Sequence, residues 1–231
     1  MRNLNIKPFL YFLAGFSVIV LFVAALVQDV DLGNFLDMVR LIPIVAMADV
    51  IAYFVFTRWV WRWRRLEGCL IPFPNLNGTW QGHIQTNWID AEGETPGPIP
   101  AILTIKQSFG RMSCVMRTGE TESHSYVEGF RIDSDAQVRC LCCSYTSRPK
   151  AALRERSTSH DGTILLKIIG KPVFKLEGEY WTQRQTMGTV TLAFRTRELL
   201  DDLPADLPPH PMTVKSESGR APQEKRSSQE D

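Results

Sequence analysis

The chain has 231 residues and a formal net charge of +1, from 26 Lys and Arg against 25 Asp and Glu. This balance points to no particular partner, and the length suits one ordinary domain with an anchor. The five cysteines are odd in number, and three of them crowd into 140–143. They fit no small secreted disulfide framework, which favours free thiols in a reducing compartment.

The first predicted element is an uncharged apolar run of about 19 residues, at 9–27. That length crosses a bilayer core of about 30 Å as a helix. The run is longer than the apolar part of a typical secretory signal, and no small-residue cleavage site follows it. A membrane-spanning helix is therefore the favoured interpretation.

A second, less pure span is predicted at 35–56, with Asp37, Arg40, Pro43 and Asp49 inside it or near its start. Its apolar core is short, so we expect it to form a helical hairpin with the first span. A carboxylate within a span is costly and usually faces protein or water. Asp49 therefore either packs against the first helix, protonated or hydrogen-bonded, or occupies a self-association or pore-lining position.

Basic residues near the span ends predict the orientation of the hairpin. Arg2 and Lys7 precede the first span, whereas the connecting loop carries Asp29 and Asp31. Four arginines follow the second span, at 58, 62, 64 and 65. Both termini are therefore expected in the cytoplasm, with residues 1–65 forming the anchor.

Tryptophans alternate with arginines directly after the second span, at 59, 61 and 63. This pattern is typical of an interfacial aromatic belt. On a continuing helix, Arg58, Arg62 and Arg65 would share one stripe facing anionic head groups. We therefore predict that Trp59 and Arg62 contact the bilayer. Nucleic-acid binding is the weaker interpretation of this stretch, and no DNA or RNA partner is expected.

A linker is predicted at 66–77 and a β domain at 78–197, where the apolar pattern changes to period two. Eight strands are predicted, at 78–88, 100–108, 111–118, 122–132, 137–146, 162–169, 174–183 and 188–197. Eight antiparallel strands of this length favour an up-and-down β-barrel, similar in size to a lipocalin, with room for one small ligand. The Pro-rich and charged remainder, 198–231, is predicted to be a disordered tail.

Alternation assigns an inward face to each strand, which includes Trp80, Leu103, Leu141 and Leu176. It also turns several polar side chains into an otherwise apolar bore. These are Gln107, Ser123, Ser125 and Tyr145. Such groups either line a ligand site or are satisfied polar groups of the core.

The motifs of common enzymes are absent from the sequence. It contains neither a Gly-rich phosphate loop nor a serine nucleophile elbow, and its histidines and cysteines lack the spacing of a metal site. A Cys143–His160 pair is conceivable for nucleophilic catalysis, but nothing in the sequence orients it. We therefore expect a binding module with no catalytic residue, metal or cofactor.

Several stretches resemble a known family, and the last of them is the most specific. They are LNGTWQG at 76–82, LTIKQ at 103–107, SHS at 123–125, HDGT at 160–163 and LEGEYWTQRQTMG at 176–188. In this order, behind two spans, they resemble the two-transmembrane, β-strand-rich effectors of CBASS, the bacterial anti-phage system that signals with cyclic nucleotides. The resemblance covers about 5–197.

The resemblance implies that the cytosolic barrel binds a cyclic di- or oligonucleotide. Binding would drive self-association in the inner membrane, breach it and stop the infected cell from releasing phage. Such a ligand offers bases for stacking and phosphates for hydroxyl or arginine donors. We expect Tyr145 and Tyr180 to stack, and Ser123, Ser125, Thr182 and Arg184 to meet phosphates or base edges. Cys143 stands where an aromatic residue would be expected.

Two alternatives stay open. Lipocalin barrels also begin with a Gly-x-Trp strand and close with an arginine, here Trp80 with Arg195 or Arg197. A membrane-anchored barrel carrying a lipid is therefore possible, and it would have an almost wholly apolar bore. A passive membrane scaffold is the third hypothesis, against which Asp49 argues.

Overall fold

The computed structural model describes residues 7–30, 33–90, 93–133, 135–154 and 157–213, without the side chains of Arg64 and Ala152. It divides into two compact units. One contains the helices, the linker up to residue 75 and the turn at 108–111, and the other contains the strands and the C-terminal segment. Arg2, Asp31 and residues 214–231, to which some predictions refer, lie outside the described residues.

The helical unit contains two helices, α1 (Lys7–Val27) and α2 (Phe35–Arg58). Asn34 caps α2, because its side-chain oxygen accepts a hydrogen bond from the Leu36 backbone N–H. Both helices are long and apolar enough to cross a membrane. Large apolar side chains such as Tyr11 and Val27 are mostly exposed along them, as is usual for a surface that faces lipid. The two predicted helices are confirmed.

The structure departs from the sequence prediction where α2 ends. The helix stops at Arg58, and two short 3₁₀ helices follow, at Val60–Arg62 and Arg64–Leu66. Arg58, Arg62 and Arg65 therefore do not share one α-helical stripe, and that prediction is wrong. The physical reason is tertiary packing: Trp61 is buried, and its ring lies 6.2 Å from that of Phe73 in the linker.

The second unit is a closed eight-stranded antiparallel barrel in which each strand pairs with the next and β1 pairs with β8. This confirms the predicted up-and-down fold. The strands are β1 (Gly78–Thr86), β2 (Ile99–Gln107), β3 (Met112–Thr118), β4 (Thr121–Asp133), β5 (Val138–Pro149), β6 (His160–Ile169), β7 (Lys175–Thr182) and β8 (Met187–Thr196). The β1–β2, β3–β4, β5–β6 and β7–β8 connections lie at one end of the barrel, which we call the mouth.

The opposite end is closed by Trp80, which is 1% exposed. The indole N–H donates to the Leu76 carbonyl at 2.9 Å, so burial leaves no polar group unpaired there. The ring of Phe194 packs edge-on against it at 5.2 Å, and the Arg197 guanidinium lies 5.5 Å from the Phe194 ring. We call Trp80 the plug of the barrel. Arg197 is therefore the arginine beside the plug, whereas Arg195 forms another contact that is described below.

Gln107 does not line the bore as predicted. It is buried at the closed end, where its side-chain oxygen accepts the Leu76 backbone N–H at 2.7 Å. Its own backbone N–H donates to Asn77 at 2.9 Å. Gln107 is the last residue of β2, so its side chain reaches past the sheet to the chain that enters β1. It is a satisfied polar group of the core.

The C-terminal segment also differs from the prediction of a tail disordered from residue 198. Residues 198–213 lie along the barrel and bond to outward-facing threonines. Thr79 donates to the Glu198 carbonyl at 2.7 Å, and Thr104 donates to the Leu200 carbonyl at 2.7 Å. Side-chain hydroxyls of the strands hold this backbone, so its polar composition does not prevent it from packing.

The plug gives a test of the fold. We expect Trp80→Ala to lower the free energy of unfolding by about 3–5 kcal/mol, because it empties the closed end. Trp80→Phe, which keeps an aromatic ring but loses the bond to Leu76, should cost less, about 1 kcal/mol. Urea unfolding of the full chain in detergent measures both. Equal stability of Trp80→Ala and the wild type would contradict a structural role for this residue.

Candidate ligand-binding site

All eight strands contribute to a cavity of about 200 Å³ inside the barrel. Its floor is apolar and includes Leu103, Ile164, Leu166 and Val190. Hydroxyl, imidazole and charged groups gather toward the mouth. Six of the predicted site residues line this cavity: Ser123, Ser125, Tyr145, Tyr180, Thr182 and Arg184. The structure therefore brings together every predicted ligand contact except Gln107.

Two inward tyrosines lie beside glycines on neighbouring strands. Tyr145 pairs with Gly162, where an added Cβ would lie 2.6 Å from the phenol oxygen. Tyr180 pairs with Gly188, where an added Cβ would lie 2.8 Å from the tyrosine ring. Any larger residue at either glycine would displace the ring. Because Gly162 and Gly188 carry no side chain, each leaves space for the tyrosine ring on the neighbouring strand.

Both phenols are neutral hydrogen-bond donors near pH 7. Burial is the main cause that raises the pKa of Tyr145, and the neighbouring Tyr180 raises it further. Burial also raises the pKa of Tyr180, although a hydrogen bond with Thr86 acts in the opposite direction. Each ring thus offers a face for stacking and an O–H for a phosphate or base oxygen.

Arg184 lies on the β7–β8 turn at the mouth and is held by the β5–β6 connection. Its Nη1 donates to the Ser157 hydroxyl and to the Thr158 carbonyl, each at 3.1 Å. The turn itself is stabilised by Thr182, whose hydroxyl lies 2.6 Å from that of Thr186. Arg184 is therefore an oriented cation at the rim, and Thr182 is best described as the residue that shapes its turn.

The two predicted serines differ in their surroundings. Ser125 accepts the Cys114 backbone N–H at 2.8 Å and donates to the Glu128 carboxylate in a short hydrogen bond. The β3–β4 ladder ends at Val115, so this hydroxyl takes the place of a missing ladder bond. Ser125 therefore has a structural function, whereas Ser123 lines the cavity next to Met116 of β3.

The Cys143–His160 pair that was considered for nucleophilic catalysis does not form. Cys143 lies on the floor, with its sulfur 3.4 Å from that of Cys114, and all described cysteines are free thiols. The hydrogen bond with Cys114 and burial both raise the pKa of Cys143, so the nucleophilic thiolate is disfavoured. His160 pairs with Ser147, about four residues nearer the mouth, or roughly 13 Å along the strand.

Sequence reasoning missed two mouth residues that carry charge or an imidazole. Glu120, on the β3–β4 turn, and His210, in the C-terminal segment, both line the cavity. Their side chains are 14% and 7% exposed, and Glu120 Oε1 lies 3.3 Å from His210 Nδ1. A turn glutamate and a histidine 90 positions later share no local pattern, so no signal in the sequence connected them.

The membrane candidates lie in the helical unit. Asp49 Oδ2 is 2.8 Å from the Ser17 hydroxyl, which matches the interpretation in which Asp49 packs against α1. Its other carboxylate oxygen is buried and forms no hydrogen bond within the described residues. Trp59 is 55% exposed, whereas the Arg62 guanidinium lies 5.8 Å from the buried Trp61 ring.

A comparison with models of known protein families identifies the family of this chain. The sequence model described as Cap15, cyclic dinucleotide receptor domain, matches residues 71–193, just over half of the chain. The chain belongs to the Cap15 cyclic dinucleotide receptor family. The match runs from the linker into β8, so the Cap15 receptor domain is the barrel. No curated protein matches the chain.

The Cap15 assignment confirms the resemblance to CBASS effectors and identifies the protein as one that binds a cyclic nucleotide. It names a receptor rather than an enzyme. More than half of the cavity residues carry hydroxyl, imidazole or charged groups, but most of the lining surface is apolar. The lining therefore does not separate the two ligand classes, and it is the family match that disfavours the lipid carrier.

His160 of the Cap15 barrel gives a prediction about pH. Burial is the main cause that lowers its pKa, and the Arg184 charge lowers it further, although the Thr158 carbonyl acts in the opposite direction. The unfolded chain therefore binds more protons than the folded chain as the pH falls below about 6.5, and stability contributed by His160 is lost. His160→Gln should reduce the fall in Tm between pH 7 and pH 5.

His83, which is exposed on the outer face of β1, provides the control: His83→Gln should keep the wild-type dependence. Differential scanning fluorimetry over this pH range measures all three proteins. A His160→Gln curve that is parallel to the wild-type curve would show that this histidine does not contribute.

Proposed function

We propose that the barrel binds a cyclic dinucleotide in the mouth cavity, and that binding drives self-association of the helices and disruption of the bacterial inner membrane. Cell death before phage release is the expected outcome. The observation that supports the binding step is the combination of two glycine-backed tyrosines with an oriented arginine at the rim of one cavity.

The chemistry of the ligand matches these groups. Each base of a cyclic dinucleotide presents a face that can stack on an aromatic ring, in an interaction worth about 1–3 kcal/mol. Each phosphodiester carries a negative charge, which a guanidinium binds through paired N–H donors. Tyr145 and Tyr180 provide the rings, and Arg184 provides the cation. Ser123, which lines the cavity, would bond a base edge or a phosphate oxygen.

Arg184 gives the sharpest test of the binding step. We expect wild-type protein to be stabilised by one member of a panel of cyclic di-AMP, cyclic di-GMP, cyclic GMP–AMP and cyclic di-UMP, since a ligand of the folded state raises Tm. Arg184→Ala should weaken that binding about tenfold or more, because it removes at least one charge-assisted hydrogen bond. Isothermal titration calorimetry on the full chain in detergent gives the dissociation constants.

Arg131→Ala is the matched control, because Arg131 is exposed on the outer face of β4. It should bind as tightly as the wild type. If the wild type binds no member of the panel, the binding step is wrong. If Arg184→Ala and Arg131→Ala bind equally well, the cavity mouth is not the site.

The membrane step is supported by α1 and α2. Both helices are long and apolar enough to span the bilayer. The basic residues before α1 and after α2 would favour a cytoplasmic position for both ends of this hairpin. The second carboxylate oxygen of Asp49 is buried in this chain without a hydrogen bond, so we propose that α1 and α2 repack on activation and offer it to a second copy. Polar side chains within spans stabilise helix association in this way, by about 1 kcal/mol per contact. A homo-oligomer is therefore the proposed active form.

Asp49→Leu should weaken ligand-induced self-association at least several-fold and reduce membrane leakage, while the barrel still binds ligand. Met47→Leu, at an exposed position of the same helix, is the control and should behave like the wild type. Chemical crosslinking in membranes measures association, and uptake of an impermeant dye by cells measures leakage. Wild-type crosslinking of Asp49→Leu would show that this carboxylate does not contribute to assembly.

A further inference from the structure

Residues 198–213, which we call the C-terminal strap, begin beyond the family match, which ends at residue 193. The strap is fastened along the outside of the barrel. The Thr79 hydroxyl donates to the Glu198 carbonyl at 2.7 Å and accepts the Leu200 N–H at 3.0 Å. Further along the strap, Asp206 forms two hydrogen bonds of 3.0 Å with the Arg195 guanidinium.

These contacts give the strap a fixed path. It starts at the end of β8, which lies at the closed end, and it bonds Thr104 of β2 and Arg117 of β3 through the Leu200 carbonyl. Thr79 and Thr104 face outward in the alternation of their strands, yet both are buried. The strap therefore covers the outer face of β8 and of the first three strands before it reaches the mouth.

The strap ends against the β3–β4 turn. A Cβ added to Gly119 would lie 2.8 Å from the Cβ of His210, so the two chains are in direct contact. His210 Nδ1 lies 3.3 Å from Glu120 Oε1, and His210, Glu120 and Met212 all line the cavity. One wall of the mouth is thus built from a segment outside the family domain.

The position of that wall relative to Arg184 follows from the topology. The β3–β4 and β7–β8 turns are four strands apart in a ring of eight, so they lie on opposite sides of the mouth. Arg184 occupies one side and His210 the other. A cyclic dinucleotide has two phosphodiesters separated by its sugar rings, which is the arrangement that two opposed donors would recognise.

We propose that the C-terminal strap is part of the ligand site, and that His210 contacts one phosphate from the side of the mouth opposite Arg184. This inference rests on the proposed cyclic dinucleotide function. A carboxylate alone at this rim would repel an anionic ligand. His210 Nδ1 accepts the Met212 backbone N–H at 3.3 Å, so the donor that the imidazole offers to a phosphate is Nε2–H. His210 then determines specificity from a position beyond the family match, which ends at residue 193.

Gly119→Ala tests the position of the strap, because the new methyl group must displace His210. The backbone of Gly119 is not in the left-handed region, so alanine adds no backbone strain there. Gly97→Ala is the matched control, since a Cβ at that position of the β1–β2 connection meets nothing within 4 Å. His210→Ala removes the contact without displacing the chain. All are compared as full chains in detergent.

The probe is whichever of the four cyclic dinucleotides binds the wild type. We expect Gly119→Ala and His210→Ala to raise its dissociation constant about tenfold or more, and Gly97→Ala to leave it unchanged. Thermal unfolding without ligand must show that each variant is folded. Saturating ligand should also slow exchange of the His210, Met212 and Thr213 amide hydrogens, the three that residues 208–213 carry.

The outcomes separate the two proposals. Wild-type protein that binds no probe would overturn the proposed function and this inference together. Wild-type binding that Gly119→Ala and His210→Ala both retain would overturn the inference alone. Unchanged exchange of the His210, Met212 and Thr213 amides with bound ligand would also overturn it, because a phosphate that holds the His210 ring also holds the turn whose Met212 N–H bonds that ring.

Discussion

The antiparallel pairing of β1 with β8 removes the two free edges that an eight-stranded sheet would otherwise expose. Closure also divides the side chains into two sets, since alternate residues of every strand must face the bore. The plug at Trp80 then fills one end, and the mouth is left as the open end. The cavity, its polar rim and its position away from the plug all depend on this closure.

Period-two alternation predicted much of the site because it depends only on the geometry of a strand. Tyr145, Tyr180 and Ser123 face the cavity as expected. Alternation failed at Gln107, where the strand ends and the side chain bonds the preceding linker at Leu76. Contacts at strand ends depend on the path of neighbouring chain, about which a local pattern carries no information.

The strap shows a different limit. Its prolines and charges are typical of disorder, and an isolated segment of that composition could bury too little apolar surface to order itself. The barrel supplies what the segment lacks: threonine hydroxyls for its backbone and Arg195 for Asp206. Thr79 and Thr104 looked like ordinary solvent-facing strand residues. Their function depends on a partner about 100 positions away in the chain.

In the anchor too, length and composition determine some features, and packing determines the others. Two apolar runs of sufficient length predicted α1 and α2. The end of α2 was not predictable, because Trp61 leaves the helical path to pack on Phe73. Asp49 was predictable only in part. The free-energy cost of a carboxylate in a span predicted that it has a polar partner, but not which one; the Ser17 hydroxyl bonds one of its two oxygens.

The rim arginine indicates why a cyclic ligand suits this mouth. Both described bonds of Arg184 leave from Nη1, and a guanidinium carries five N–H donors. The side chain is therefore already oriented, so less conformational entropy is lost when an anion binds. A cyclic dinucleotide is likewise restricted before binding, because ring closure fixes the separation of its phosphates. Matching a preorganised ring to opposed donors reduces the entropic cost on both sides of the interface.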